Sequence, residues 1–515
     1  MNIVIVAGGL GTRFGTLSIF PKILLSSYKE DSILKEQYNY FNHKENNIYL
    51  IIYEKFYKMV ENYISVNEIE GITLIKSSKV NGSYNTIKEI KDQLPKEHCL
   101  FIWSDLVLED FDIVEEIKNI GIDNNIVFTS ENIYRLGFKN NKIYADPKEN
   151  GNLPGIYYFG KLPKFDVQND INNYDLADYI QDLIESEHIE FLEGKVKNLN
   201  EYKDYYTYIR KISKYKPNTN QTRFFNKLIK NKDNTLTKKG ILENYYEIID
   251  KEINWYKRYY ELHNESTIVP KIFKYGNHEF NLEYLEGYET LYSYLLKEHD
   301  INTIKEIYST LDKKLKEELY NVYEEVDYVT FYNDLKREVI DKVLERCNKI
   351  KYMIINYQPN KLIKLLNRAF NILLDTETGD KVKYYFCHGD LHASNMMINP
   401  QTKDIKILDP RGYFGHTKLY GWHAYEYSKL LYSLEGFDDF NLNKKVYPYG
   451  IPNKFDFVYE LDFLNKIEYK IFVGVTWISL SGYMSQDIMK SNIAYEYGID
   501  YLTNCIREYE TFNSN

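Results

Sequence analysis

Ile3-Val4-Ile5-Val6-Ala7 is a short, mostly β-branched apolar run, and it breaks without a linker into Gly8-Gly9-Leu10-Gly11-Thr12-Arg13. A run apolar on both faces predicts a strand buried inside a sheet, which is the habit of parallel sheets covered on both sides. A glycine cluster directly after it predicts a turn whose backbone N–H groups can approach an oxyanion closely. Arg13 and, after Pro21, Lys22 add the cations that neutralise a triphosphate. The spacing Gly-Gly-x-Gly-x-Arg followed by Pro-Lys is not the dinucleotide fingerprint, and no Gly-Lys-Ser/Thr ends it as in a Walker loop. A plain tight turn needs only the glycines; the two cations make this a phosphate site.

A second stretch reads His388-Gly389-Asp390-Leu391-His392-Ala393-Ser394-Asn395. Phosphoryl transfer needs a positioner for the attacking hydroxyl and oxygen ligands for the metal ions bridging the nucleotide phosphates. The kinase catalytic loop supplies these as His-x-Asp with Asn five positions after the Asp. Ile405-Lys406-Ile407-Leu408 then reads as a short strand that delivers Asp409 before the Pro410-Arg411-Gly412 turn. Loop, strand and acid arrive in the order that such chemistry requires.

Composition bounds the rest. The 515 residues predict about three compact units at roughly 150 residues each. A net charge of −10 with no concentrated basic stripe argues against a nucleic-acid partner. Cys99, Cys347, Cys387 and Cys505 are scattered without metal-ligand spacing, so a reduced, cytoplasmic protein is expected. The first apolar run is too short for a signal peptide, and no segment reaches the 18 or so apolar residues of a membrane span, so a soluble chain without a membrane partner is expected. The 52 tyrosines read as a codon bias before any binding role. For that reason Tyr413, Phe414, Trp422 and Tyr425, which follow the Asp-Pro-Arg-Gly turn, are expected to belong to a core face.

Over roughly residues 1 to 213 the chain resembles the nucleotidyltransferase family of sugar-1-phosphate and phosphocholine pyrophosphorylases. The resemblance implies that Gly8, Gly9, Gly11 and Arg13 hold the NTP phosphates and that Lys22 contacts them during attack by a phosphomonoester. Asn81-Gly82-Ser83-Tyr84-Asn85-Thr86 looks like the loop and helix start that reads the nucleobase, with Gly82 and Ser83 as nucleotide contacts. Leu100-Phe101-Ile102-Trp103-Ser104-Asp105 looks like the strand ending in the Mg²⁺-binding aspartate, and Gly155-Ile156-Tyr157-Tyr158-Phe159 resembles the acceptor-side strand. One position departs: the family's second metal carboxylate has its counterpart at Asn198, in Asn198-Leu199-Asn200-Glu201-Tyr202-Lys203-Asp204-Tyr205. An uncharged amide there leaves weaker metal binding, recruitment of another acid, or lost turnover open, and keeps Asn198 as a candidate substrate contact.

From about residue 214 onward the chain resembles the aminoglycoside-phosphotransferase, choline-kinase and fructosamine-kinase superfamily, which writes its loop His-Gly-Asp-Leu-His-x-x-Asn. By that resemblance Asp390 is the catalytic base, Asn395 and Asp409 hold Mg²⁺, and His388 braces the loop. His392 is left between bracing and metal ligation. Lys238, near the end of a candidate strand, and Glu252, on a helix predicted from Glu247 to Tyr260, are the expected ion pair that positions the α/β-phosphates; Lys239 is the rival. Phe280 to Gly287 resembles the adenine hinge, with Glu283 and Leu285 as nucleotide contacts. The loop over the phosphates is expected at Lys230-Asn231-Lys232-Asp233-Asn234. Arg411 is a candidate for a phosphate or substrate anion, or for pairing with a nearby carboxylate.

The expected fold is therefore an α/β Rossmann-like domain with a mixed, mostly parallel sheet (1–213). A two-lobed protein-kinase-like α+β domain follows (214–515), with an N-lobe over about 220–290 and a mainly helical C-lobe over about 291–515. The boundary is expected around Ser213 to Gln221. The expected activity is bifunctional: ATP-dependent phosphorylation of a small hydroxylated metabolite, a sugar or polyol favoured, then nucleotidyl transfer from a second NTP, CTP or UTP favoured. The resemblance implies a role in capsule or surface-polysaccharide supply. Alternatives are a choline or ethanolamine kinase joined to a phosphocholine cytidylyltransferase, two halves with different substrates, and an active kinase with a nucleotide-binding regulatory N-terminal domain. Mg²⁺, with Mn²⁺ as a substitute, is the expected cofactor, and a homo-oligomer is compatible with the sequence.

Overall fold

The computed structural model describes residues 1–27, 32–42, 46–79, 82–108, 112–130, 137–139, 142–144, 153–165, 175–186, 188–193, 196–199, 204–205, 207–208, 226–263, 265–297, 299–442 and 454–513. Asn81, residues 200–203 and the expected boundary at Ser213 to Gln221 lie outside the described residues. The chain forms two compact units that are discontinuous in sequence: 1–214 with 349–357 and 482–492, and 215–348 with 358–481 and 493–515.

The first unit is built on strands β1 (Asn2–Ala7), β2 (Asn47–Tyr53), β3 (Ile72–Ser77), β4 (Glu97–Trp103), β5 (Leu106–Leu108), β6 (Asn125–Thr129), β7 (Gly137–Lys139), β8 (Lys142–Tyr144), β9 (Ile156–Lys161), β10 (Ile189–Glu193) and β11 (Val196–Asn198). Seven of them form one sheet in the order β10-β6-β9-β4-β1-β2-β3. β1 pairs parallel with β2 and β4, β2 with β3, and β10 with β6, whereas β9 runs antiparallel to both neighbours. The expected mixed, mostly parallel sheet is present. Ile3, Val4 and Ile5 are fully buried because β1 is central, which explains their uninterrupted apolar run. The chain leaves β1 toward β2 on one side and later returns to β4 on the other. This reversal opens a crevice at the carboxyl ends of β1 and β4, where α/β sheets bind ligands. Helices α1 (Ile33–Phe41), α2 (Glu54–Val66), α3 (Ser83–Ile90), α4 (Ile113–Ile120) and α5 (Leu176–Ser186) belong to this unit.

The second unit begins with an antiparallel sheet of β12 (Asn226–Lys230), β13 (Thr235–Gly240), β14 (Ile272–Gly276) and β15 (Glu279–Glu283), ordered β12-β13-β15-β14. Helix α6 (Tyr246–Leu262) packs on β13 and β15 through Ile249, Glu252, Ile253, Tyr256 and Tyr259, a three-to-four-residue spacing that puts Glu252 on the buried face. The rest is mainly helical, including Ile301–Glu318, Pro359–Asp375, His423–Tyr432 and Ile467–Tyr483. Two small sheets are set among the helices. One contains β16 (Glu289–Thr290), β19 (Met396–Ile398) and β20 (Ile405–Ile407); the other contains β17 (Tyr323–Asp327), β18 (Lys381–Phe386) and β21 (Tyr420–Trp422). Phe414, Trp422 and Tyr425 are buried core residues, and Tyr413 is half-buried. Among the described residues no helix is long and apolar enough to cross a membrane.

Candidate active sites

In the first unit the crevice encloses a cavity of about 430 Å³ lined by residues 6–13, Lys22, Gly82, Ser83, Thr86, Trp103 to Asp105, Leu153 to Gly155, Tyr157, Asp175 and Ala177. It brings together Gly8, Gly9, Gly11, Arg13, Lys22, Gly82, Ser83 and Asp105, which the sequence scatters over nearly a hundred positions. Gly11 has φ 64° and leads into the short helix Thr12–Ile19, whose first turn exposes Arg13. A Cβ on Gly8 would come within 2.8 Å of Thr86 Cγ2, so α3 sits directly against the loop. Lys22 Nζ lies 2.8 Å from Asp105 Oδ2, with both side chains largely buried, and 4.6 Å from the centroid of the Phe14 ring. Asn198 ends β11 opposite Leu106, and the next residue, Leu199, donates its N–H to Asp105 O at 2.8 Å. The Asn198 segment thus runs beside the Asp105 turn.

Asp175, which also lines this cavity, escaped the sequence reading. Asp175 accepts hydrogen bonds from Ser83 N and Oγ, each at 3.2 Å, and so holds the start of α3. Its own N–H donates to Asp178 Oδ2 at 2.8 Å, a capping-box spacing that marks a helix start but says nothing of a pocket. Thr86 and Trp103, which belong to the two segments compared with the nucleobase loop and the aspartate strand, line it as well. Gly155, at φ 94°, admits Trp103: a Cβ there would lie 2.2 Å from Trp103 Cδ1. Gly155→Ala is therefore expected to destabilise the first unit by about 2 kcal/mol or more, seen as a lowered first transition in thermal or urea unfolding.

In the second unit the β19–β20 hairpin brings Asn395 and Asp409 to one end. Met396 pairs with Ile407, and Leu408 N donates to Asn395 O at 2.8 Å, so the residues flanking the two strands are neighbours. Asn395 Nδ2 donates to Asp390 O at 3.0 Å, tying the amide to the loop. Asp409 adopts φ 59°, a left-handed conformation that aspartate tolerates better than most residues. Its Oδ1 lies 2.6 Å from Lys238 Nζ, which is 2.8 Å from Glu252 Oε2. Burial alone disfavours the Lys238 ammonium, but Asp409 and Glu252 outweigh it and hold its pKa above the ordinary lysine range. Strand alternation decides between the two lysines: Lys238 points inward, while Lys239 is exposed and meets Glu279 at 3.4 Å.

His388 is fully buried, and that burial pushes its pKa down to about 4, so the ring is neutral. Nε2 then donates to Leu408 O at 2.8 Å, and Nδ1 accepts from Asp390 N at 3.3 Å, which braces the loop against the strand before Asp409. Glu426, which the sequence reading did not single out, accepts from His388 N at 2.8 Å and Gly389 N at 2.6 Å; complete burial pushes it up to about 7. Nothing in the sequence around Glu426 marks that role. Arg411 Nε lies 3.6 Å from Asp390 Oδ2, the carboxylate-pairing alternative. Glu283 and Leu285 lie at the far end of β15: Glu283 pairs with Thr235, three residues from Lys238, and Leu285 O accepts from Tyr288 N at 3.3 Å. The 230–234 segment is the β12–β13 turn, in which Asn231 Nδ2 donates to Thr235 and Thr237 hydroxyls.

His392 bridges two acids, with Nε2 3.5 Å from Asp390 Oδ2 and Nδ1 3.3 Å from Asp438 Oδ1. Burial favours the neutral ring, yet Asp390 and Asp438 together overcome it and push His392 up to about 9. A folded-state value above the usual 6.5 means that the stabilisation is complete below pH 6.5 and disappears as pH rises through about 9. The melting temperature of wild type is expected to fall over that window more than that of His392→Gln, measured in parallel.

Among the described residues no group of three or more His, Cys, Asp and Glu side chains could hold a metal ion by itself. The donors at each site are instead few and all oxygen, the set that suits a hard divalent ion whose other ligands are phosphates and water.

No protein-family model matches the sequence, and no curated protein matches it. Solved structures do. An inositol-1-phosphate CTP transferase from T. maritima is 13% identical, covering 39% of this chain and 90% of its own, at a TM-score of 0.32. A CTP:phosphocholine cytidylyltransferase from Streptococcus pneumoniae is 19% identical, covering 41% of this chain and 97% of its own, at a TM-score of 0.32. A nucleoside-diphosphate-sugar pyrophosphorylase from Vibrio cholerae is 12% identical, covering 41% of this chain and 100% of its own, at a TM-score of 0.32.

Proposed function

We propose that the chain is a bifunctional transferase that phosphorylates a small hydroxylated metabolite with ATP and then couples the phosphomonoester to an NTP, releasing pyrophosphate. One observation, repeated in each unit, carries this reading. A largely buried lysine is ion-paired to the acid that the chemistry needs, Lys22 to Asp105 at 2.8 Å and Lys238 to Asp409 at 2.6 Å.

In the second unit Asp390 takes the proton of the acceptor hydroxyl as its oxygen attacks the γ-phosphorus, while Lys238, steadied by Glu252, holds the α/β-phosphates; ADP leaves. In the first unit an oxygen of the phosphomonoester attacks the α-phosphorus of the NTP, the bond to the β-phosphate oxygen breaks, and pyrophosphate departs. Lys22 and Arg13 neutralise charge on the triphosphate, and the glycine turn offers backbone N–H groups to it. Asp105 in one site, and Asn395 with Asp409 in the other, would hold Mg²⁺, which supplies further neutralisation of the phosphates. A sugar or polyol is the favoured acceptor, CTP or UTP the favoured second nucleotide, and supply of surface polysaccharide the favoured role.

Mass spectrometry of the purified chain with Mg²⁺, ATP, the four other common NTPs and a pool of sugars, polyols and amino-alcohols tests this. A new NDP adduct names base and acceptor together. A phosphomonoester without an adduct would confine catalysis to the second unit and make the first a nucleotide-binding regulator, with Asn198 the residue to restore to Asp.

A further inference from the structure

We infer that Gln37 is the positioning residue that sets the Asp105 carboxylate in the first cavity, an assignment that rests on the nucleotidyl-transfer reading of that site. Gln37 lies on α1, is 1% exposed, and belongs to neither the glycine loop nor the Pro21-Lys22 segment. Its Nε2 donates to Trp103 O at 3.1 Å and to Leu106 O at 2.9 Å, the two carbonyls that bracket Ser104 and Asp105. The rest of this turn is also tethered, Ser104 N to Val6 O at 3.1 Å and Asp105 O to Leu199 N at 2.8 Å. Among the described residues, the Gln37 amide is the side chain that clamps both ends.

The orientation of that amide follows from its surroundings, since the opposite assignment would press its oxygen against two carbonyl oxygens. It leaves Gln37 Oε1 buried with no hydrogen-bond partner among the described residues. An orphaned buried acceptor is destabilising, so an amide held here at that cost is explained by its two donors. The clamped turn presents Asp105 to Lys22 at 2.8 Å. An acid on a short turn between β4 and β5 takes its position from such tethers, and a displacement near 1 Å at a reacting centre costs about 100-fold in rate.

The test uses the full chain with Gln37→Met, which keeps side-chain length without donors, and Gln37→Glu, which keeps shape but faces a carboxylate toward both carbonyls. Hydrogen exchange in EDTA, without nucleotide, is expected to be at least about tenfold faster in residues 103–106 and unchanged in β1 and β2. In steady-state transfer from CTP or UTP, kcat is expected to fall about 10- to 100-fold, with half-saturating Mg²⁺ raised and KM for the nucleotide within twofold. Unchanged exchange at 103–106, exchange rising equally through β1 and β2, or a fall in melting temperature with kcat and the Mg²⁺ requirement intact would each overturn the assignment, leaving Gln37 a packing residue. Asp105→Asn runs alongside: if it transfers nucleotide as wild type does, the reading of the site fails, and the role of Gln37 fails with it.

Discussion

Asp390→Asn is expected to lower ATP-dependent phosphorylation about 1,000- to 10,000-fold while leaving nucleotidyl transfer to added phosphomonoester within twofold of wild type. The substitution keeps volume and most hydrogen-bonding geometry but removes the carboxylate that the proposed reading makes the acceptor of the hydroxyl proton. In the proposed reading Asp390 is the reacting acid. The bracing is done by others: His388 grips Leu408 O, Glu426 holds the N–H groups of His388 and Gly389, and Asn395 ties to Asp390 O. The Asp390 carboxylate itself faces His392 and Arg411 at 3.5 and 3.6 Å, longer contacts than the 2.6 Å pair that engages Asp409. Phosphorylation measured by ADP release at saturating ATP checks this. Retention of more than a tenth of wild-type kcat would remove Asp390 from the role of base.

Lys22→Ala should show the converse, nucleotidyl transfer falling about 100- to 1,000-fold with phosphorylation unchanged. Two losses combine in that number. The triphosphate loses a cation whose side chain is largely buried, where a charge contributes more than it does in water, and Asp105 loses its 2.8 Å partner. Lys22→Arg is expected to recover only part of the rate, because the ammonium is seated over the Phe14 ring, 4.6 Å from its centroid, at a depth set by the lysine stem. Pyrophosphate release from added phosphomonoester and CTP or UTP is the measurement. Unchanged product formation in Lys22→Ala would end the transferase assignment and favour a regulatory first unit.

Some of these sites were readable because their chemistry is local in sequence. The Ile3 to Ala7 run could be read as a central strand because a strand paired on both sides and covered on both faces must be apolar at every position. The junction with Gly8 to Gly11 could be read as a tight glycine turn because glycine clears α3 at one position and takes φ 64° without strain at another. His388 to Asn395 could be read because one loop holds its members at fixed spacing, and the short strand before Asp409 is equally local.

Tertiary structure decided what depends on which way side chains point and on which distant elements meet. Lys238 and Lys239 are equivalent as text; strand alternation turns one toward Glu252 and the other toward solvent. Gln37 and Glu426 carry no local signature and Asp175 only that of a helix start, since each reaches backbone far along the chain, 66, 38 and 92 positions away. Backbone N–H and C=O groups are the same at every residue, so the sequence of the partner records nothing of the contact. The sequence by itself determined the central strand, the glycine turn that follows it and the loop, strand and acid that carry the second set of candidate residues. Folding alone decided which lysine is paired, which amide clamps the Asp105 turn and which buried acid holds the 388–395 loop, because those depend on distances that only the packed chain defines.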